Sequence, residues 1–508
     1  MAQDTATSAL NRFGLGARPG ERDALHDPRG WLLAQVDAPP PPEARLAALP
    51  PSSEYLQREA AYLRARRARR RQAGESADGG RREDADGAAR AGRAGPGDAA
   101  PQAMPAPVRP RRAAGDGFRE AFGRDQLAEH AARYGVATTT PHGFHERLVR
   151  FWSNHFAVSV DKRPAALYAA PMEREAIRPH VAGRFADLLL AAETHPGMLR
   201  YLDNAQSVGE GSAFAVRGAR RQAPRGGDMP VRKRGLNENL AREILELHTL
   251  GVDGGYAQAD VTELARAITG WGTPLARAGD GPPAPGQSFA FRAAAHEPGA
   301  RSVLGKRYAE GGQAQGRAIL ADLARHPSTA RHLATKLARH FVSDTPPPAL
   351  VERMASAYLA ADGDLRALYR AMLGSDLAWA PDARKFKTPD DFLVSSMRAT
   401  GIDGGAAPLQ VVNQLRQLGQ PPFTPRSPAG FADTAADWTG PDALWKRVQV
   451  AQALAQRVPR ERLDPVAAAR EVFGDALDAD TATALRRAES ERDGLALLFA
   501  SPAFQWRA

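Results

Sequence analysis

Apolar side chains recur at every fourth residue in parts of the chain, and this spacing restricts the fold more than any other feature. In "FHERLVRFWSNHF" (144–156), Phe144, Leu148, Trp152 and Phe156 fall on one face of a helix. Helices are also predicted, from the same spacing or from helix-end residues, in three later segments, 328–342, 347–375 and 389–401. The chain is therefore predicted to consist mainly of amphipathic helices.

The amino-acid composition also favours a helical fold. Alanine and arginine, two of the best helix formers, are abundant, while aromatic residues make up 7%. Strand-like alternation is confined to "SFAFRA" (288–293) and "RSVLGKRY" (301–308), which we interpret as one hairpin flanking His296. We predict an all-α fold, formed by one large multi-helical domain with at most a small β-hairpin.

One long segment interrupts the helical pattern. Residues 66–115 lack periodicity and are rich in Arg, Gly, Ala and Pro, a composition that buries too little apolar surface to offset chain entropy. We predict a disordered basic insertion there, between an N-terminal helical segment (1–65) and the main helical body (116–508) of the same domain. Flexible loops are predicted near 214–235 and 272–288.

The net charge of +10 belongs to two of these segments. Residues 64–113 carry about +7 and residues 217–234 about +6, which leaves the rest of the chain slightly acidic. Basic segments of this kind bind polyanions weakly and without specificity. Nucleic acid is therefore not expected as the main partner, and weak polyanion binding through the insertions ranks last among the function hypotheses.

The chain has no cysteine, which excludes disulfides, thiolate zinc sites and iron–sulfur clusters. A metal would have to be held by His, Asp, Glu or Asn, which suit a divalent cation. No signal peptide is recognised, and no run of 18 apolar residues predicts a membrane span. The expected location is the cytoplasm, unless a partner carries the chain out.

The segment "NENLAREILELHTLGV" (237–252) concentrates polar side chains in a helix that also needs an apolar face. Asn239, Glu243 and Glu246 lie at i, i+4 and i+7, which places them on one stripe at 100° per residue. Such carboxylates can bind a cation, pair with arginines in a buried network, or face solvent. The residues alone leave all three interpretations open.

Further polar residues are predicted to surround this helix. A glycine turn leads into a second helix with Glu263 and Arg266, and a helical hairpin would bring these towards Glu243 or Glu246. The remaining members of this predicted polar centre are Asn154, Asp203, Asn204 and Asn237.

Two histidines, His155 and His296, are the candidate catalytic residues, because imidazole can serve as a ligand or a general base. A hydrogen-bonded structural histidine is the alternative in each case. Asp203 and Asn204 can equally cap a turn through their side chains.

Four segments in order carry a resemblance: "ERLVRFWSNHF", "HPGMLRYLDNAQS", "NENLAREILELHTLGVDGGYAQADVTELARAITGW" and "FAFRAAAHEPGARSVLGK". With them the chain resembles a bacterial family of uncharacterised proteins, domain of unknown function 1800 (DUF1800). The similarity runs from about residue 10 to residue 447, interrupted by the insertions. It implies no established activity.

The resemblance has consequences for individual residues. The family's Asn-Glu-Asn–x3–Glu–x2–Glu block is matched by Asn237, Glu238, Asn239, Glu243 and Glu246. Its His-Asp-x-Gly element is matched by His296 and Gly299, while Glu297 replaces the aspartate and keeps a carboxylate one methylene longer. Genes of the family often neighbour genes for exported proteins similar to sulfatases and alkaline phosphatases, which implies such a partner.

Three function hypotheses result. The first is an accessory or interaction protein that works with an exported sulfatase- or alkaline-phosphatase-like partner. The second is a hydrolase-type enzyme in which Glu243, Glu246 and Asn239 hold a divalent cation and His155 or His296 acts as ligand or base. The third is the weak polyanion binder.

Overall fold

A computed structural model of the chain describes residues 5–38, 40–91, 116–221, 235–274 and 286–507. The α-helices are α1 (Thr5–Ser8), α2 (Pro28–Asp37), α3 (Ala44–Ala47), α4 (Ser52–Ala91), α5 (Asp116–Thr139), α6 (Gly143–His155), α7 (Ala169–Met172), α8 (Phe185–Thr194), α9 (Pro196–Tyr201), α10 (Ala213–Arg221), α11 (Asn239–Glu243), α12 (Gln258–Ala267), α13 (Gln313–Ala324), α14 (Pro327–Phe341), α15 (Pro348–Ala360), α16 (Leu365–Leu373), α17 (Pro389–Ala399), α18 (Pro408–Gln417), α19 (Pro441–Ala455), α20 (Pro465–Phe473), α21 (Ala479–Arg486) and α22 (Glu491–Ala500).

Shorter elements complete the chain. The π-helical segments are Ala9–Phe13, Glu173–Ile177 and Ile244–His248. The 3₁₀ segments are Arg163–Ala165, Arg178–His180, Asn204–Gln206, Ala293–Ala295, Asp376–Ala378, Ala435–Asp437, Arg460–Arg462, Gly474–Ala476 and Ala503–Gln505. Strand β1 (Trp271–Gly272) pairs with β2 (Ala290–Phe291), β3 (Arg301–Val303) with β4 (Lys306–Tyr308), and β5 (Lys385–Phe386) with β6 (Trp506–Arg507), all antiparallel. The predicted mostly helical fold is confirmed.

The small strands differ in one detail from the predicted hairpin around His296. "RSVLGKRY" folds back on itself as β3–β4, because Leu304 and Gly305 both have positive φ, 49° and 75°. Two such residues form the tight turn that joins neighbouring antiparallel strands. Phe291 of "SFAFRA" pairs instead with Trp271.

The predicted insertion and loops fall partly outside the described residues. Helix α4 continues to Ala91, and residues 92–115 lie outside. The segment 214–235, predicted as a loop, begins as helix α10, because the Ser212 hydroxyl accepts from a backbone N–H in its first turn. Residues 222–234 and 275–285 are again outside the described part.

Two large hydrophobic clusters form the interior. The first gathers α2, α6, α8, α9 and α11–α16, and contains the fully buried Trp152, whose indole N–H donates to the Tyr369 hydroxyl at 2.7 Å. The second gathers α17–α22 with Tyr134 of α5. Each fully buried large apolar side chain contributes about 1.5–3 kcal/mol. None of the helices in the described ranges has the length and apolar character needed to cross a bilayer.

Candidate functional site

The helix that carries the predicted metal ligands changes its geometry halfway. It is α-helical over Asn239–Glu243 and π-helical over Ile244–His248. A π-turn contains more residues than an α-turn, so the rotation of 100° per residue used in the prediction does not hold beyond Glu243. Asn239 is exposed, whereas Glu243 and Glu246 are half-buried.

The predicted metal ligands Asn239, Glu243 and Glu246 differ in their surroundings, and two of them contact neighbouring polar groups. Burial raises the pKa of Glu243, and the Glu246 carboxylate acts in the same direction. Tyr256 donates to Oε2 of Glu246 at 3.2 Å, and the Asn239 N–H donates to Oδ1 of Asn237 at 2.9 Å. In the described part of the chain, no three His, Asp or Glu side chains are arranged to hold a metal ion. A divalent-cation site at these residues stays a prediction.

Glu238 connects the two helices of the hairpin. Its carboxylate accepts from the Thr262 hydroxyl and from Nε2 of Gln258, both at 2.8 Å. Glu263 and Arg266 pair with each other within α12 at 2.7 Å, the i, i+3 contact of one helix. The hairpin itself is confirmed, and its connection is a polar network around Glu238.

His155 lies fully buried at the end of α6. Its Nε2 is 3.1 Å from the carbonyl oxygen of His248 and therefore donates, which leaves Nδ1 unprotonated and without a hydrogen-bond partner in the described residues. Burial lowers the pKa of His155 well below its ordinary value, and the nearby Lys336 acts in the same direction. The ring is thus neutral at physiological pH.

A buried glutamate, Glu193, lies next to His248. Nδ1 of His248 is 2.7 Å from Oε1 of Glu193, and neither side chain is exposed. A carboxylate in the interior needs a compensating group, and within the described residues neither carboxylate oxygen of Glu193 and neither ring nitrogen of His248 has a well-formed hydrogen bond. Glu193 belongs to α8, far away in sequence, and no local pattern distinguished it.

Two predicted amide residues hold loops. Asn154 exchanges two hydrogen bonds with the backbone of Phe431, one to the carbonyl at 2.9 Å and one from the N–H at 2.7 Å. The buried Asn204 donates to the carbonyls of Ile268 and Trp271, both at 3.1 Å. In each case the amide satisfies backbone groups that packing would otherwise leave unpaired.

Asp203 and Asn237 also occupy turns. Asp203 has φ of 61° and pairs with Lys162 at 2.6 Å. The N–H of Asn237 donates to the Ser207 hydroxyl at 3.1 Å. The Asp203 side chain makes no capping hydrogen bond to the turn that follows it, so these contacts do not bear out the turn-capping alternative.

His296 anchors a loop on the far side of α12. Its Nδ1 is 3.0 Å from the carbonyl oxygen of Thr269, and its buried Nε2 has no hydrogen-bond partner in the described residues. The neighbouring Glu297 accepts from the Gly211 N–H at 2.7 Å, and its own N–H donates to the Thr269 hydroxyl at 2.8 Å. The carboxylate that replaces the family's aspartate thus fixes the loop before α10.

A cavity of about 280 Å³ opens where the two hydrophobic clusters meet. We call it the basic cavity. Helices α6 and α14 of the first cluster form one wall, and the start of α17 and the segment 420–434 form another. His155 is the only predicted catalytic residue among its lining side chains, with Asn154 beside it. Ligand sites commonly lie at such junctions.

Cationic groups outnumber carboxylates in this lining. The cations are Arg133, Arg147, Arg150, Lys336 and Arg339, and the carboxylates are Asp390, Asp391 and Asp433. Counted over the lining side chains alone, five cations stand against three carboxylates, and burial lowers the pKa of both lining histidines, His155 and His340. Behind the lining, Arg133 also pairs with Glu173 at 2.9 Å, and Arg150 lies 3.8 Å from Glu146.

Two of the cations retain free hydrogen-bonding capacity. Arg150 pairs with Asp390 through Nη1, but its buried Nε and Nη2 have no hydrogen-bond partner in the described residues. Lys336 has neither an ion pair nor a hydrogen bond within this part of the chain. Burial lowers the pKa of Lys336 to about 8, with Arg339 acting in the same direction and Asp433 against it.

His340 and Asp433 form an oriented pair in the cavity wall. Nδ1 of His340 lies 2.9 Å from Oδ2 of Asp433 and donates to it. Its Nε2 is therefore the unprotonated nitrogen, and it has no hydrogen-bond partner in the described residues. A carboxylate that fixes the tautomer of a histidine in this way is the arrangement of a general base.

Lys336, His340 and Asp433 were not among the predicted site residues. The spacing of Lys336, Arg339 and His340 at i, i+3 and i+4 was a visible signal, since it places all three on one face of α14. Read alone, such a face looks solvated. Only the packing of α14 against α6 and the segment 420–434 makes it a cavity wall.

Comparison with known proteins gives the family and no activity. No curated protein and no solved structure shows significant similarity to the chain. The model of one family, described as "Protein of unknown function (DUF1800)", matches residues 8–506, which include every lining residue of the basic cavity. The chain belongs to the DUF1800 family.

Proposed function

We propose that this protein binds a small anionic molecule in the basic cavity. The observation that carries the proposal is the surplus of cationic groups over carboxylates in the lining. A volume of about 280 Å³ suits a small molecule rather than a chain segment. Guanidinium and ammonium groups bind carboxylate, sulfate and phosphate oxygens through charge-assisted hydrogen bonds.

Arg150 and Arg339 supply the main contacts in this proposal. Nε and Nη2 of Arg150, which have no hydrogen bond in the described residues although Nε lies 3.8 Å from Oε1 of Glu146, form a planar pair of donors suited to two oxygens of one anion. Arg339 is exposed and is held by one hydrogen bond to the Asp344 carbonyl at 3.3 Å. It can therefore turn towards a ligand at little cost.

Replacing Arg339 with glutamine is expected to weaken sulfate or phosphate binding roughly tenfold, because one charge-assisted contact is lost. Isothermal titration calorimetry on the intact chain measures this change. Arg353→Gln is the matched control, since Arg353 is exposed on α15 and does not line the cavity. Equal affinities for the parent and the Arg339 variant, or no binding of either anion by the parent, would argue against the proposal.

The interaction with an exported sulfatase- or alkaline-phosphatase-like protein is a second proposal, and it includes export with that partner. One surface feature supports it: Trp445 is 62% exposed, next to the half-exposed Leu444 on α19. Exposed tryptophans are enriched at the energetic centres of protein interfaces. A partner that acts on sulfate or phosphate esters would also release anions of the class that suits the cavity.

Replacing Trp445 with alanine should reduce recovery of such a partner about tenfold in co-purification from the native host. Leu359→Ala is the control, because Leu359 is exposed on a different helix, α15. Recovery of the partner with the Trp445 variant at the parent's level would exclude this surface. The polyanion hypothesis concerns segments that lie partly outside the described residues, and it stays a prediction.

A further inference from the structure

Lys336 differs from the other lysines in its surroundings. The chain has seven lysines, and four of the described ones pair with aspartates: Lys162, Lys306, Lys385 and Lys446. Lys387 is buried against the ring of Phe504 at 3.5 Å. Lys336 alone among the described lysines combines a place in a cavity wall with no ion pair.

The environment of Lys336 increases the fraction of its neutral, nucleophilic form. With a pKa of about 8, roughly a quarter of the side chains carry a free amine at pH 7.5, against about one in a thousand for an ordinary lysine. The groups that act on it come from three elements: His155 on α6, His332 and Arg339 on α14, and Asp433 in the segment 420–434. Both histidines have lowered pKa values and are neutral at this pH.

A proton acceptor lies on the same helix face. His340 follows Lys336 by four residues on α14, which places the two Cβ atoms about 6 Å apart. Nε2 of His340 is unprotonated and has no hydrogen-bond partner in the described residues. The basic cavity therefore contains an amine nucleophile, an oriented base and cationic anchors.

We propose that Lys336 is a nucleophile that forms an imine with a small anionic aldehyde or ketone bound in the basic cavity. This inference rests on the proposed anion binding and names the substrate class. The cationic side chains of Arg150 and Arg339 bind the substrate's anionic group and direct its carbonyl carbon towards Nζ.

The step balances without an oxidant or a metal. The lone pair of Nζ attacks the carbonyl carbon, the carbonyl π pair moves to oxygen, and proton transfer from nitrogen to that oxygen gives a carbinolamine. Loss of the hydroxyl as water then forms the C=N bond. Nε2 of His340 accepts the remaining N–H proton of the carbinolamine and donates it to the leaving hydroxyl. One water is therefore released for each imine formed.

Reductive trapping with glyoxylate tests the inference. Glyoxylate is the smallest aldehyde with a carboxylate, and borohydride reduces its imine to a stable amine that peptide mass spectrometry locates. At pH 7.5 and limiting glyoxylate, Lys336 is expected to be labelled roughly tenfold or more above any other lysine. The α-amino group, with an ordinary pKa near 8, labels in any case and provides the reference. Excess sulfate should suppress only the label at Lys336.

Each outcome decides between the proposals. Labelling spread evenly over the lysines, or unaffected by sulfate, overturns the inference. Sulfate binding in calorimetry without a label at Lys336 would overturn the imine proposal and leave the anion-binding proposal intact. If sulfate does not bind and Lys336 is not labelled, both proposals are overturned. Lys336→Arg should lose the label and Lys446→Arg should keep it at Lys336. A folding failure of either variant leaves the result on the parent protein decisive.

Discussion

Replacing Asp391 with asparagine is expected to lower the free energy of unfolding by about 3–5 kcal/mol. Asp391 is buried at the start of α17, where Oδ1 is 2.8 Å from Nη1 of Arg147 and Oδ2 is 3.6 Å from Nε of Arg507. Both arginines are themselves buried. The variant would leave them without their main compensating charge, and chemical denaturation at pH 7 measures the loss.

The pH dependence of the same variant follows from the pKa of Asp391. Burial alone would raise this pKa, but Arg147 and Arg507 outweigh it and hold the pKa well below its usual range. The ion pairs therefore stabilise the fold fully above pH 4, and this contribution declines as the pH falls further and the unfolded state takes up the proton. The difference between parent and variant should shrink below pH 4.

Asp376→Asn provides the control for this prediction. Asp376 also pairs with an arginine, Arg29, at 2.9 Å, but its side chain is 93% exposed. Its replacement should change the stability by less than about 0.5 kcal/mol. A loss below about 1 kcal/mol for Asp391→Asn would mean that water or other groups compensate the two arginines.

The helical fold was predictable because its signals are local. The step of four from Phe144 to Phe156 marks a face that is buried in the structure, and the segment predicted as helical at 347–375 contains α15 and α16. Local signals failed where the backbone departs from standard geometry. The π-turn after Glu243 has no sequence signature in the spacing, so the rotation of 100° per residue assumed for Glu246 does not apply there.

The candidate site was only partly predictable, because its residues come from separate parts of the chain. His155 was predicted as a candidate catalytic residue, and it does line the basic cavity. Its neighbours Lys336 and Asp433 are far from it in sequence, and charge alone does not distinguish a cavity wall from a solvated face. Glu193 likewise looks like an ordinary helix residue until the fold places it against His248.

Replacing Lys336 with methionine is expected to stabilise the protein at pH 7, by roughly 1–3 kcal/mol. Methionine keeps an unbranched apolar stem of similar length and removes an ammonium group that the cavity wall leaves without an ion pair. Functional residues often cost stability in this way, so a gain on replacement fits a role for the free amine. Thermal or chemical unfolding of parent and variant measures the gain.

The pH dependence separates this effect from better packing. Because burial lowers the pKa of Lys336 to about 8 from 10.5, the unfolded state binds more protons between these values, and the parent gains stability as the pH rises through that window. The advantage of Lys336→Met should therefore be full below pH 8 and disappear towards pH 10.5. Lys446→Met, which removes an exposed i, i+4 partner of Asp442, should show no such trend. A gain in stability that does not depend on pH would mean that the methionine only packs better. Lys336 would then be protonated in the folded protein without loss of stability, as an ordinary surface lysine is.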